Sequence, residues 1–168
     1  MRKRRNLVPP VAVTGSQTLH PELGEEGRII HFTIWELPQL QADTFPGYHS
    51  RNSYRKKWHS WVAHGIKKAG GPPSEPWGKA GIVAVRFAIG SEPDRGNLVH
   101  SFKPVVDGLI AKRAGVIEDD KPSVLVTERY EWRKCRRADA RIEVWVMGPK
   151  AVTDVSWWRE RCHHCARL

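Results

Sequence analysis

The apolar pattern predicts an α/β fold in which a small mixed β-sheet carries two main helices. Three observations predict it: four segments patterned as strands, two longer segments with apolar residues at helical spacing, and the order strand, helix, strand, helix, strand, strand. Each helix has one apolar face to bury, and a single sheet that receives both is the economical arrangement. No internal repeat or heptad run competes with it.

The first strand begins at Arg28, where Ile30, Phe32 and Ile34 alternate with His31, Thr33 and Trp35. Leu37-Pro38 ends it, and Asp43 to Arg51 reads as a polar loop bearing Gly and Pro. From Ser50 to Lys68 the residues Tyr54, Trp58, Trp61, Val62 and Ile66 recur at helical spacing, with Arg51, Arg55, Lys56, Lys57, Lys67 and Lys68 on the other sides. Gly70-Gly71-Pro72-Pro73 breaks this helix, and Ile82 to Ile89 forms the second strand.

A second helix is expected from Asn97 to Arg113, on a face traced by Leu98, Phe102, Val105, Val106, Leu109 and Ile110, with Gly115 placed to end it. Pro104 has no N–H for the carbonyl of His100 and crowds it, so a kink or a separate first turn is expected there. Val124, Val126 and Glu128 to Trp132 make a third strand. Ala140, Ile142, Val144 and Val146 make a fourth, and with Cys135 to Asp139 as the turn the two are expected to pair as a basic hairpin.

The 168 residues suffice for one domain with tails: a loose arm with a basic tip over 1–27, a folded domain over 28–150 and a C-terminal tail over 151–168. Twenty-eight Lys and Arg against eighteen Asp and Glu give a formal charge of +10, which favours a polyanionic partner. A membrane partner is not expected. No run approaches the roughly 18 apolar residues of a spanning helix, and the basic start leads into Val8-Pro9-Pro10 rather than a signal-peptide core. Cys135, Cys162 and Cys165 make no disulfide framework, so a reducing, cytoplasmic location is the expectation. Zinc at Cys162 and Cys165 is not expected either, because the lone Cys-x-x-Cys, even with His163 and His164 between, lacks a second half.

The most informative stretch is Ser91 to Pro122, which sets Asp94 before the second helix and Glu118, Asp119 and Asp120 after it. Carboxylates gathered in a chain of this charge suit a divalent cation facing a polyanion. Phosphodiester cleavage needs an activated water and neutralisation of developing charge, and hard magnesium on oxygen ligands supplies these; Asp94 and Asp120 are the candidate ligands, with Asp119 as a third. The bland reading of any such Asp is solvation or helix capping.

Three segments then carry a family resemblance: Asp94-Arg95-Gly96-Asn97, Phe102-Lys103-Pro104-Val105-Val106-Asp107-Gly108-Leu109, and Ala114-Gly115-Val116-Ile117-Glu118-Asp119-Asp120-Lys121-Pro122. In that order and spacing they resemble the core of RusA-type Holliday junction resolvases of phages and prophages, and the likeness extends more loosely from the Ile30 strand to Val146, about two thirds of the chain. The resemblance implies a RusA-like homodimer that binds four-way and other branched DNA junctions and cuts them by magnesium-dependent phosphodiester hydrolysis, with manganese as a substitute and no organic cofactor. It implies work in recombination and repair, near the nucleoid of a bacterial or phage-infected cell. Asp94 falls on the family's first metal-site aspartate, Asp120 on the aspartate closing the Asp-Asp pair, and Lys103 on the lysine four residues before the helix aspartate, here Asp107. The chain departs from the pattern at Gly96, where the best-known members of the family place a second aspartate directly before the asparagine, and in a longer spacing from Asn97 to Lys103.

Lys103 is read either as a phosphate or leaving-group contact or as an i,i+4 partner of Asp107. Asn97 is expected to cap the helix and orient Asp94, and His100 to be packed or solvated rather than catalytic. DNA contacts are expected from Arg51, Arg55 and Lys56 on the first helix and from Arg133, Lys134, Arg136 and Arg137 at the hairpin tip, while the tryptophans build core or dimer contacts. Two alternatives stay open: a branched-DNA-binding protein of this fold without cleavage, to which Gly96 points, and a non-enzymatic adaptor with a basic surface.

Overall fold

A strand buried at every residue from Ala80 to Ala88 runs through the interior of the sheet. In a computed structural model of the chain, which describes residues 12–19, 23–40 and 48–152, the elements are β1 (Val13–Thr18), β2 (Ile29–Ile34), α1 (Tyr48–Lys68), β3 (Ala80–Ala88), α2 (Arg95–Ser101), α3 (Lys103–Leu109), β4 (Leu125–Lys134) and β5 (Arg141–Met147). The strands form one five-stranded sheet in the order β1-β2-β5-β3-β4. Only the β3–β4 pair is parallel, which makes the sheet mixed, and α2 and α3 lie in the connection between those two strands. The chain is thus a small α/β domain with two helical segments on a mixed sheet, α1 being one and the broken α2–α3 pair the other.

The helices bury Trp58, Val62, Ile66, Phe102, Val105 and Leu109 against Ile30, Phe32, Ile82, Ile142 and Val144. Full burial of an aliphatic or aromatic side chain contributes roughly 1.5–3 kcal/mol. That exceeds the roughly 0.7 kcal/mol that a β-branched residue such as Val62 or Ile66 costs a helix, so packing decides the conformation. The opposite side of the sheet buries Ile29, Val83, Val85, Phe87, Trp145 and Met147. Both faces are therefore covered, and the β3 sequence is apolar on both faces except at Arg86, whose buried guanidinium donates to the Pro38 carbonyl.

Three local expectations differ from what forms. The arm expected over 1–27 contains β1, which pairs antiparallel with β2 from Val13↔Ile34 to Thr18↔Ile29. Its sequence Val-Thr-Gly-Ser-Gln-Thr is polar because it is an outer strand, and Gly15 lets it approach α1 so closely that a Cβ there would sit 2.5 Å from the Gly65 carbonyl oxygen. The expected hairpin of 124–132 and 140–146 does not form: β3 lies between β4 and β5, pairing with both. A strand as apolar as β3 needs ladder partners on both edges, and the connection through the 3-10 turn at Arg137–Asp139 spans its end.

The second predicted helix is two helices, broken at Phe102, and it ends at Leu109 rather than Arg113. Pro104 occupies the first turn of α3, where its missing N–H has no intrahelical partner to lose. Beyond Leu109 the chain folds back, so that Val116 N–H donates to the Leu109 carbonyl at 3.0 Å and Ile110 and Trp77 each bridge to Ile117. Gly115, at φ 73°, serves this return loop instead of a helix end. The glycine pair after α1 behaves as expected: Gly70 has φ 95°, and Gly71 N–H donates to Ile66 O at 2.9 Å, closing the helix in a Schellman arrangement.

The basic tip of the arm and the tail with Cys162 and Cys165 lie outside the described residues. Among the described residues, no helix is long and apolar enough to cross a membrane.

Candidate functional site

The return loop after α3 carries the acidic run back to the start of the same helix. Ile117, fully buried, is anchored between Trp77 and Ile110, and Glu118 N–H donates to Trp77 O at 3.1 Å. Asp120 follows three residues later and forms a hydrogen-bonded ion pair with Lys103, which opens α3. Lys103 Nζ also lies 3.0 Å from Asp107 Oδ1, one turn along the helix. The helix-pair reading of Lys103 is what forms, and Asp120 adds a second carboxylate to it. Burial alone would lower the ammonium's pKa; its hydrogen bonds to Asp120 and Asp107 outweigh this and raise it, so Lys103 remains a cation.

Asp107 is 3% exposed and takes a second cation from α1, with Arg55 Nη2 at 2.6 Å from Oδ2. Burial pushes its carboxyl upward, but the hydrogen bonds from Lys103 and Arg55 prevail and hold it below the usual carboxylate range. The guanidinium of Arg113 closes the far side by donating to the Asp107 carbonyl. Arg55, read as a DNA contact, is thus committed to this buried anion, whereas Arg51 and Lys56 are exposed on α1.

Lys103 and Asp120 face a cavity of about 540 Å³ between α2, α3 and β4, with Arg95, Gly96 and His100 on the α2 side and Glu128 and Tyr130 on the β4 side. A second recess of about 360 Å³ shares Arg95, Val99, Glu128 and Tyr130 and extends along the α2–β4 seam. Tyr130 is held in place: its ring stacks on Phe102 with centroids 5.3 Å apart, and its hydroxyl donates to Glu128 Oε2 at 2.6 Å. Burial and the bond to Glu128 both raise its pKa, so it stays a neutral phenol.

Asp94 is the N-cap of α2, accepting from Asn97 N–H at 3.0 Å and from the Asn97 side-chain amide. The cap is the aspartate, as its bland reading has it, and not Asn97, which orients Asp94 as expected. Asp94 Oδ1 lies 3.3 Å from where a Cβ on Gly96 would sit, but Asp94 itself does not line the cavity. Asp119 turns elsewhere, to Lys121 at 2.7 Å and to the N–H of Asp120 at 2.9 Å. Among the described residues, no group of three or more His, Cys, Asp or Glu side chains assembles as a metal cluster. A magnesium ion here would have to share the Asp120 carboxylate with Lys103 and take its remaining ligands from water and substrate phosphate.

No model of a known protein family matches the chain, and no curated protein matches it.

Of the basic residues expected at a hairpin tip, Lys134 at the end of β4 and Arg136 and Arg137 after it are exposed, while Arg133 is paired with Glu131 at 2.8 Å. Trp58 is fully buried, as the core reading of the tryptophans expects, and Lys57 covers the half-buried Trp61 at 4.6 Å from the ring centroid. Tyr130, Glu128 and Arg95 escaped assignment as cavity residues. The alternation Glu128, Tyr130, Trp132 was the available signal, since it puts the three on one face of β4.

Proposed function

We propose that the chain is a RusA-type endonuclease acting on four-way and other branched DNA, hydrolysing phosphodiesters with magnesium or manganese. The observation that carries this reading is the pairing of Lys103 with Asp120, 17 residues apart, at the wall of one cavity. These residues belong to separate segments of the resemblance, and an adaptor surface has no need of their convergence. The charge of +10 supplies the attraction to a polyanion.

Lys103 receives the non-bridging oxygens of the scissile phosphate or balances charge on the leaving oxygen. Asp94 and Asp120 would hold the metal, which supplies Lewis acidity and a water of lowered pKa. Asn97 keeps Asp94 oriented, and Asp107 keeps Lys103 aimed. The reading includes a two-fold dimer, because resolving a junction requires two symmetry-related cuts. Light scattering that finds only monomer, free and on junction DNA, would contradict the dimer.

A second reading, branched-DNA binding without cleavage, is favoured by Gly96 and by the absence of a three-donor group among the described residues. One experiment separates the two. Purified protein is incubated with a labelled synthetic four-way junction, binding measured in calcium and nicking in magnesium or manganese. The nuclease reading expects paired nicks that fall by orders of magnitude in Asp120→Asn and Asp94→Asn while binding persists. Selective binding with no nicking over a range of both metals replaces it with the second reading, and no preference for the junction over linear duplex removes both.

A further inference from the structure

The cavity beside Lys103 is more apolar than a phosphate needs. Val99 is 40% exposed on α2, and with Val106 and Tyr130 it forms a wall that water covers poorly. The cations Arg95 and Lys103 stand one turn before Val99 and Val106 on the same helices, Lys103 paired with the lining carboxylate of Asp120, and Glu128 stands at the edge with one carboxylate oxygen on the Tyr130 hydroxyl. A flat ring with polar edges and an anionic tether meets all three features, whereas a bare phosphate leaves the wall unused and a lipid chain leaves the charges unused. Resting on the DNA-binding reading, we propose that this recess takes one unstacked nucleobase, with Tyr130 as its stacking platform and Arg95 and Lys103 on the flanking phosphates.

The geometry of Tyr130 suits that task. Stacking on Phe102 and the bond to Glu128 fix the ring before any ligand arrives, so little conformational freedom remains to be lost on binding. Tyr130 borders both recesses, of about 540 and 360 Å³, which share Arg95, Val99 and Glu128 along the seam of α2 and β4. A base inside a duplex has both faces covered by its neighbours and must be extruded to enter such a pocket, at a cost of a few kcal/mol that an already unpaired base escapes. The site thus distinguishes DNA with unpaired bases, at branch points or in single strands, from linear duplex, without reading a sequence. Glu128 accepts hydrogen bonds, which favours bases with an exocyclic amino group over thymine.

The test uses full-length protein with a four-way junction and with a single-stranded 20-mer, each carrying 5-iododeoxycytidine, at the branch in the junction. Irradiation should crosslink the iodinated base to Tyr130, located by mass spectrometry. Tyr130→Leu should lose the crosslink and weaken binding to both DNAs by roughly tenfold, the scale of one lost base stack, with linear-duplex affinity unchanged and Tyr130→Phe close to the parent. Crosslinking that maps elsewhere and leaves Tyr130 unlabelled overturns the proposal, and this arm needs no variant to fold. Equal weakening on junction and linear duplex in Tyr130→Leu also overturns it. Tyr130-dependent single-strand binding without junction preference sustains the base site and removes the branched-DNA reading. Junction-selective binding indifferent to Tyr130 does the reverse, and no binding to either DNA removes both.

Discussion

Arg55 on α1 donates to the carboxylate of Asp107 on α3 at 2.6 Å, joining a half-exposed cation to an anion that is almost wholly buried. The same carboxylate receives Lys103, so one buried charge fixes the position of α1 relative to α3 and the aim of the lysine at the cavity. Removing one partner of a buried pair costs about 3–5 kcal/mol because the other is left uncompensated. Here the loss is asymmetric. Asp107→Ala leaves two half-exposed cations, of which Lys103 keeps Asp120, so it should fall below that range at roughly 2–3 kcal/mol for two hydrogen bonds to a charged group, whereas Arg55→Met leaves Asp107 its bond to Lys103 and should cost about 1 kcal/mol. Urea unfolding of both variants measures the difference, and equal costs would mean that Lys103 does not share the anion.

Stability should also fall on acidification, in two separable windows. His59 stands beside this network with its Nε2 buried and without a partner, and its pKa is lowered to about 4, first by burial and then by the charge of Arg113. It is neutral in the fold, while the unfolded chain binds a proton below about 6.5. Between those values the unfolded state carries more protons, so stability drops as pH falls from about 6.5 toward about 4 and this contribution then levels off. Asp107 acts at lower pH: its depressed folded pKa contributes stability that is complete above the unfolded value of about 3.9 and is lost as pH falls through the folded one. His59→Gln should flatten the melting temperature against pH in the upper window alone. An unchanged slope there would remove His59 as the cause.

Periodicity made α1, β2, β3 and β5 legible, because each buries a face or a whole run of apolar side chains. It missed β1, whose only large apolar residue is Val13 and whose existence depends on the edge of β2. The mistaken hairpin came from chain adjacency. The strand runs at 124–132 and 140–146 looked like partners until β3, with both edges to satisfy, was seen between them. The Lys103–Asp107 pair was legible from its i,i+4 spacing, but the Lys103–Asp120 contact, the burial of Asp107 and its claim on Arg55 were not, since no local pattern links residues 103 and 120 or 55 and 107.

The closeness of β1 to α1 predicts where a single methyl group is not tolerated. A Cβ on Gly15 would meet Gly65 O at 2.5 Å and Ala69 N at 2.6 Å, and one on Gly65 would meet the Phe32 ring at 2.9 Å. The obstacles at Gly15 are backbone atoms of a helix, which cannot rotate aside. Gly15→Ala should cost roughly 1–3 kcal/mol, the range for overpacking, and it should release β1 first. Hydrogen exchange should speed at Val13 to Thr18 more than in β3. Uniform exchange across the sheet would contradict the local account.

Phosphate contacts at the end of β4 and in the turn after it should register as salt dependence. Each contact removed lowers the slope of log affinity against log salt by roughly 0.9 on duplex DNA. Lys134→Gln, Arg136→Gln and Arg137→Gln each free an exposed cation position and should show that decrement. Arg133→Gln should show less, because its guanidinium already lies on Glu131 at 2.8 Å. Slopes unchanged in all four variants would move the DNA path off this end of the sheet.

Gly96 offers the most direct question about chemistry. It lies on the cavity wall in the first turn of α2, with no positive φ to disfavour a side chain, and a Cβ there meets only Asp94 Oδ1 at 3.3 Å. An aspartate at this position adds a carboxylate between Asp94 and the cavity, in a helical turn whose N–H dipoles favour negative charge. Its repulsion from Asp94 makes the pair a stronger seat for a divalent cation than either alone. If the parent protein nicks junctions, Gly96→Asp should reach half-maximal nicking at lower magnesium, with junction binding in calcium changed little. If the parent binds without nicking, the same variant should gain magnesium-dependent nicking that Asp120→Asn in the same chain removes. A Gly96→Asp protein that folds and binds the junction, yet neither shifts the magnesium requirement nor gains activity, would show that the wall of α2 does not face the scissile phosphate.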